Sequence, residues 1–256
     1  MKQFLTKTIK EAGKIILKDY LGNNTDKFTR KAERELVTKT DLKSEKYIIS
    51  ALRKKFPDYN IISEESGEMN NNSDYTWLID PLDGTTNFTI RSPFFAINIA
   101  LLYKNEIKLG IGYAPVLKEL YYTEKGRGVY LNNHKIKVSE DKKVHNSVIL
   151  YCTGGTKKDP SELKKITTAF EMKAQSLKQF GAAMLELAYV AAGRVESIMI
   201  MGAKTWDLAV GVLMVREAGG RVTDFDGKEW DLSSKNMLAT NGKIHSEVIK
   251  IINNSE

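Results

Sequence analysis

At 256 residues the chain can bury roughly three quarters of its unfolded surface, as one large domain or two packed halves. Apolar residues make up 42% and charged residues 28%, an ordinary soluble balance, and no run approaches the ~18 consecutive apolar residues of a membrane span. Cys152 is the single cysteine, which excludes an intrachain disulfide and makes a reducing compartment, the cytoplasm, the expected location. The formal charge is +7, with much of the excess between Lys2 and Lys55. Spread along helical patterns, those lysines suit a solvated surface better than a nucleic-acid track, although a basic surface can also attract anionic metabolites.

In chain order, Phe4, Leu5, Ile9, Ala12, Ile15 and Ile16 recur every three or four positions, which predicts an amphipathic helix over 2–21 instead of a signal peptide. A second helix is predicted over 41–56, with Ile48, Ile49, Leu52 and Phe56 on one side. Asn60-Ile61-Ile62 reads as a strand, and Trp77–Asp80 as a short apolar strand that Pro81 ends. A helix is expected to start at Asp83-Gly84-Thr85-Thr86. Strands are predicted over 94–103, 107–114, 119–123 and 128–131, as an antiparallel meander with turns at Lys104-Asn105-Glu106, Gly126 and Asn132-Asn133. Strands over 148–151 and 197–201 then alternate with helices over 161–170, 181–192 and 205–218. A break between Ser139 and Ser147 divides the pattern, so the expected organisation is an α+β half over 1–140 and an α/β half over 141–256.

Chemistry concentrates at element ends. In Trp77-Leu-Ile-Asp-Pro-Leu-Asp-Gly-Thr-Thr-Asn-Phe88 an apolar strand delivers Asp80, and Asp83 follows three residues later. Two carboxylates across such a turn can converge, so that Asp80 could bridge two cations and Asp83 hold one, while the helix start offers N–H groups at Gly84 and Thr85 suited to a phosphate. Alone, Asp83 could equally cap its helix and Asp80 make a turn. Glu64-Glu65-Ser66 follows another apolar strand, Thr40-Asp41 opens the second helix, and Thr205-Trp206-Asp207 opens an apolar helix closing on Glu217-Ala-Gly-Gly220. Each of these acids alone could be a cap or a solvated loop residue. Together they make four acidic clusters without a histidine, since His134, His145 and His245 lie elsewhere. Oxygen-rich sites of that kind select hard cations such as Mg²⁺ or Mn²⁺. Phosphate-monoester hydrolysis needs acceleration of up to ~10²¹-fold, and a lone general base contributes ~10²–10⁴-fold, so metal assistance is the stronger reading.

Glu64-Glu65-Ser66, the Asp-Pro-Leu-Asp-Gly-Thr-Thr-Asn-Phe run and Trp206-Asp207 with Glu217-Ala-Gly-Gly220 resemble the inositol monophosphatase family, in matching order from Glu35 to Gly220. The resemblance implies a layered αβαβα sandwich, dependence on two or three Mg²⁺ ions with Mn²⁺ possible, lithium sensitivity and a homodimer. It implies that Glu64, Asp80 and the Leu82 carbonyl hold one metal, that Asp80, Asp83 and Asp207 hold a second, and that a third, weaker one sits near Glu64 with Asp41 acting through water. Thr85, oriented by Asp41, would position and deprotonate the attacking water, and the Gly84 and Thr85 N–H groups would cradle phosphate. Glu65 is the less expected ligand of its pair.

On the substrate side the chain departs from the animal enzymes, which carry a glutamate seven residues before the Trp-Asp aspartate. Ile200 stands there, and an isoleucine cannot accept sugar hydroxyls. Lys204, and Lys178 before Gly181-Ala-Ala183, offer cations that could meet a second anionic group or simply be solvated. The expected substrate is a small phosphate monoester, inositol 1-phosphate or a related sugar or polyol phosphate. Fructose 1,6-bisphosphate, histidinol phosphate, 3′-phosphoadenosine 5′-phosphate and NADP are alternatives. A role in binding RNA or the transcription machinery is an alternative of another class.

Overall fold

The computed structural model describes residues 1–22, 29–30, 36–153 and 160–255; Glu35 lies outside them. The outermost layer is a pair of helices, α1 (Lys2–Leu21) and α2 (Lys39–Lys55). Between them lies a two-stranded ribbon, β1 (Thr29–Arg30) and β2 (Leu36–Val37). Leu5, Ile9, Ala12 and Ile16 of α1 and Ile48 and Leu52 of α2 are fully buried, which is the apolar stripe the spacing foretold.

Beneath them runs an eight-stranded sheet built from β3 (Asn60–Ser63), β4 (Gly67–Met69), β5 (Tyr75–Asp83), β6 (Ala96–Tyr103), β7 (Glu106–Ala114), β8 (Glu119–Glu124), β9 (Gly128–Leu131) and β10 (His134–Lys135). A short helix, α3 (Thr85–Thr89), follows β5. The strand order is β10-β9-β8-β7-β6-β5-β3-β4, antiparallel except where β3 runs parallel to β5. Alternation along β6 shows the two faces. Ile97, Ile99 and Leu101 pack with α1 and α2, whereas Ala96, Ala100 and Leu102 face the molecule's centre.

Two helices fill that centre, α5 (Ala183–Ala191) and α6 (Thr205–Glu217). They follow α4 (Pro160–Glu171) and precede α7 (His245–Asn253). Leu208 to Val215 of α6 are buried without interruption, as a helix enclosed on all sides requires. Gly110 and Gly112 let these helices approach β7. A Cβ on Gly112 would sit 2.6 Å from Met184 Cε. On the far side lies a five-stranded sheet of β11 (Val148–Thr153), β12 (Ser176–Lys178), β13 (Ser197–Met201), β14 (Arg221–Thr223) and β15 (Asn236–Thr240), in the order β12-β11-β13-β15-β14. Ile166 and Phe170 of α4 and Val248, Ile251 and Ile252 of α7 cover its outer face against Ile149, Met199, Met201 and Leu238. The result is the αβαβα sandwich. The central hydrophobic cluster runs from Leu78 and Ala96 to Val222 and Ala239, across the break between residues 140 and 141.

One sequence expectation changes. Pro81 does not end its strand. Pairing passes from Asp80↔Asn98 to Asp83↔Ala96 through an irregularity that seats Pro81 and Leu82 opposite Ile97 alone, so the proline falls where no ladder N–H is needed. Glu217 of the Glu-Ala-Gly-Gly segment serves the fold: its carboxylate accepts the Gly126 and Gly128 N–H groups, each at 2.8 Å, and ties the β8–β9 turn to α6.

Candidate active site

A pocket of about 150 Å³ opens where the two sheets and the central helices meet. Glu64, Asp80, Leu82, Asp83, Gly84, Thr85, Cys152, Thr153, Gly181, Ala183, Ala203 and Asp207 line it. Segments far apart in sequence thus reach one place: the β3 end, the β5 bulge, the α3 start, the β11 end, the α5 start and the α6 start.

Each carboxylate is placed by local backbone chemistry. Asp80 is 1% exposed. Its Oδ1 accepts the Leu82 N–H at 3.0 Å, which folds the bulge, and its Oδ2 accepts the Asn98 side-chain amide at 3.2 Å. Asp83 does not cap α3, whose N-cap is Gly84 at φ 88°. Its carboxylate instead reaches across the pocket to the start of α5, accepting the Ala183 and Met184 N–H groups at 3.1 and 2.8 Å. A side chain on Gly84 would meet the Phe94 and Gly181 carbonyls at 3.1 and 3.3 Å, so glycine permits both the left-handed turn and the close approach. Asp207 sits in the first turn of α6, its Oδ2 accepting the Lys204 N–H at 2.9 Å.

Asp41 is fully buried at the start of α2 and divides its oxygens. Oδ2 closes a capping box with Thr38, whose N–H and hydroxyl both donate to it. Oδ1 faces Thr85, whose hydroxyl lies 3.1 Å from it and 3.0 Å from the Leu82 carbonyl. The electrostatics follow from crowding. Burial, then the neighbouring charges of Glu64, Asp83 and Asp207, hold the Asp80 carboxyl far above the usual carboxylate range. Burial pushes Asp83 up to about 7 despite the two α5 amides, and it also raises Asp41 against the pull of Thr38 and Thr85.

Among the described residues no trio of His, Cys, Asp or Glu groups is already drawn together as an ion cage. Asp83 and Asp207 rest on backbone amides, and among the described residues that line the pocket with these acids there is no Lys, Arg or His. Such a donor set, carboxylate and carbonyl oxygen, fits a hard divalent cation. The pocket's one thiol does not change this, because burial and then the nearby acids push Cys152 well up and keep it protonated.

Of the residues picked from sequence, Glu64, Asp80, Leu82, Asp83, Gly84, Thr85 and Asp207 line the pocket, and Asp41 reaches it through Thr85. Three do not. Ile200 is 1% exposed in the central cluster, paired in register with Cys152, which does border the pocket. Lys204 is exposed, with its backbone serving Asp207. Lys178 is exposed at the end of edge strand β12. Sequence reasoning passed over Cys152, Thr153 and Ala203 in the lining, and Ser44, Glu45 and Asn98 behind it. A signal existed for two of these: Glu45 falls four positions after Asp41 on one helix face, and Asn98 is a lone polar residue in Ala96-Ile-Asn-Ile-Ala100.

The model of the inositol monophosphatase family matches residues 1–256. The chain belongs to the inositol monophosphatase family. A Thermotoga maritima protein named fructose-1,6-bisphosphatase/inositol-1-monophosphatase is 40% identical over 220 residues, covering 86% of this chain and 83% of that one. A Haemophilus influenzae protein named Nus factor SuhB is 36% identical over 256 residues, covering 98% of this chain and 95% of its own. Among solved structures, the Bartonella henselae extragenic suppressor protein suhB superposes with a TM-score of 0.93 at 32% identity, over 98% of this chain and 97% of that one. The Thermotoga maritima IMPase superposes with a TM-score of 0.91 at 34% identity, over 100% of this chain and 98% of that one. As a member of this family the chain is a phosphoric monoester hydrolase of a metal-dependent, generally Mg²⁺-dependent, type. Among the described residues no helix is long and apolar enough to cross a membrane.

Proposed function

We propose that the chain hydrolyses small sugar and polyol phosphate monoesters, inositol 1-phosphate among them, with Mg²⁺ held at the carboxylate pocket. The observation that supports this reading best is the Thr85 hydroxyl, held between buried Asp41 and the Leu82 carbonyl at the wall of a pocket lined by acids. Glu64, Asp80 and the Leu82 carbonyl would hold one ion, Asp80, Asp83 and Asp207 a second, and Glu64 a third, weaker one; Mn²⁺ could substitute. When bound, the ions would offset the phosphate's negative charge and make water acidic enough to attack phosphorus.

The chain's own residues do the rest. Thr85 Oγ1 orients the attacking water and takes its proton as its own proton moves to Asp41 Oδ1, whose basicity burial has raised. Backbone N–H groups at Gly84 and Thr85 receive phosphate oxygens. The bond from water oxygen to phosphorus forms as the ester bond breaks, and the departing alkoxide is protonated by solvent. Lys204, exposed at the α6 start, is the described cation nearest in sequence to the pocket for a second phosphate. We treat 1–140 and 141–256 as two subdomains of a cytoplasmic homodimer.

A screen of phosphate release from inositol, fructose, histidinol and nucleotide phosphates tests the proposal. Turnover should require Mg²⁺ and disappear in Asp80→Asn, and wild-type turnover in excess EDTA would refute the mechanism. The 40% identical relative's double name makes fructose 1,6-bisphosphate the first alternative in that screen. Lys204→Ala should harm bisphosphate hydrolysis more than monophosphate hydrolysis. A second reading, a role with RNA or the transcription machinery, draws support from the near full-length relatives named Nus factor. Retention on RNA at physiological salt, undiminished in Asp80→Asn, would favour it.

A further inference from the structure

Asp41, Ser44 and Glu45 stand at spacings of three and four on α2, one face of the helix, and their exposures are 0%, 0% and 3%. Three adjacent buried polar groups on a helix otherwise packed by Ile48, Ile49 and Leu52 oppose folding unless each is bonded. All three are, and each reaches a different wall of the pocket. Asp41 Oδ1 accepts from Thr85. The Ser44 hydroxyl donates to the Pro81 carbonyl at 3.0 Å, at the bulge between Asp80 and Leu82. Among the described residues Glu45 accepts from one turn: the Ser63 hydroxyl, the Glu65 and Ser66 N–H groups at 3.1 and 3.0 Å, and the Ser66 hydroxyl. That turn carries Glu64. Four donors meet Glu45, and three of them meet the same oxygen, so the carboxylate fixes both the direction in which the chain leaves β3 and the backbone on either side of Glu64.

We propose that this buried polar face of α2 is the positioning element of the pocket, and that Glu45 is a positioning residue whose task is to hold the Glu64 turn at metal-binding distance from Asp80. The proposal rests on the reading of Glu64 as a metal ligand. Glu45 touches neither metal nor substrate; it acts through the backbone of Glu65 and Ser66. Partners that orient a ligand from behind are worth about 10–100-fold in metal affinity.

Mn²⁺ binding, followed by the paramagnetic resonance of the free ion, tests this without reference to turnover, alongside thermal unfolding in EDTA. Glu45→Ala should weaken Mn²⁺ binding about tenfold or more, whereas Glu45→Gln, which keeps an oxygen on the three donors, should weaken it by about threefold or less. Should Glu45→Ala fail to fold, Ser66→Ala removes one donor from an exposed position and should cost at least about twofold in affinity with unfolding in EDTA unchanged. In the double variant Glu45→Ala/Glu64→Gln, binding should be no weaker than in Glu64→Gln alone, because both changes remove the same ligand. Unchanged Mn²⁺ affinity in Glu45→Ala or in Ser66→Ala would overturn the proposal, as would a Glu45→Gln variant as weak as Glu45→Ala, or additive losses. The Glu64→Gln arm keeps the two readings apart: wild-type Mn²⁺ affinity there would remove the ligand assignment, and the proposal with it.

Discussion

Thr85 and His245 show how a single side chain's role follows from where its proton must point. Thr85 has one proton and two acceptors, Asp41 Oδ1 and the Leu82 carbonyl, so its oxygen is left as an acceptor on the pocket side. Thr85→Ala should therefore lower kcat by about 10²-fold or more while KM changes little; an effect confined to KM would make Thr85 a phosphate-binding residue only. His245 is 1% exposed between two threonines. Thr223 donates to the Asp224 carbonyl, so it must accept from His245 Nε2–H, and Thr240, which accepts the Gly242 N–H, donates to Nδ1. That arrangement needs the neutral ring, and burial, with Arg221 adding to it, lowers the imidazole to about 4. With the folded value below the unfolded one, the unfolded chain holds the extra proton between them. The contribution to stability is therefore complete above about pH 6.5 and is lost as pH falls toward 4, about 2 kcal/mol of it by pH 5. The raised carboxyls of Asp80, Asp83 and Glu186 work in the opposite direction, since acidification relieves their burial. Urea unfolding of wild type against His245→Gln at pH 7 and pH 5 isolates the histidine. A gap that does not narrow at pH 5 would contradict this account.

Elements were legible where the pattern is local. The apolar stripe of α1, the alternation of β6 and the enclosed run of α6 are each fixed by residues within one segment, and they stand within a few positions of where the spacing put them. Pro81 misled because a bulge is set jointly with the partner strand: only β6, pairing on both sides of Ile97, shows that the ladder resumes at Asp83. The Asp83 cap on α5 spans 100 residues and the Ser44 bond to Pro81 spans 37, and no periodicity encodes either. Close helix contact was equally hidden. Gly211 looks like a weak point in an apolar helix, yet a Cβ there would lie 2.4 Å from Leu187 Cδ1 and 2.5 Å from Leu187 Cβ, where α5 crosses α6. Alanine favours a helix over glycine by about 1 kcal/mol, but overpacking a seam costs about 1–3 kcal/mol. Gly211→Ala should thus lower Tm, and Leu187→Ala should recover part of the loss in the double variant. A higher Tm for Gly211→Ala alone would mean that the two helices are not in such close contact.

At the scale of the whole molecule, the layered fold collects four acids at one pocket in a chain whose formal charge is +7, with the lysines spread over the outer helices. The family signature made Asp80, Asp83 and Asp207 readable, but not which acids would be buried or what would face them. Ile200 shows the limit, since its place in the sequence suggested a substrate contact while its strand turns it into the central core. Crowded buried acids should make the protein more stable with its cation than without, because a ligand of the folded state alone adds about 2.7 kcal/mol at 100 times its Kd. For a chain of this length that amounts to a rise in Tm of about 5–10 °C with saturating Mg²⁺. Asp80→Asn should remove that gain. It removes the most strongly destabilised charge, and Asn98 Oδ1, which has no hydrogen-bond partner among the described residues, can turn to accept from the new amide. Its Tm in EDTA should therefore equal or exceed that of the wild type in EDTA, while the Mg²⁺-dependent rise shrinks or vanishes. Calorimetry of both proteins with and without Mg²⁺ gives the four values needed. A variant less stable in EDTA that keeps the full Mg²⁺ shift would show that Asp80 serves the fold and that the cation is held elsewhere.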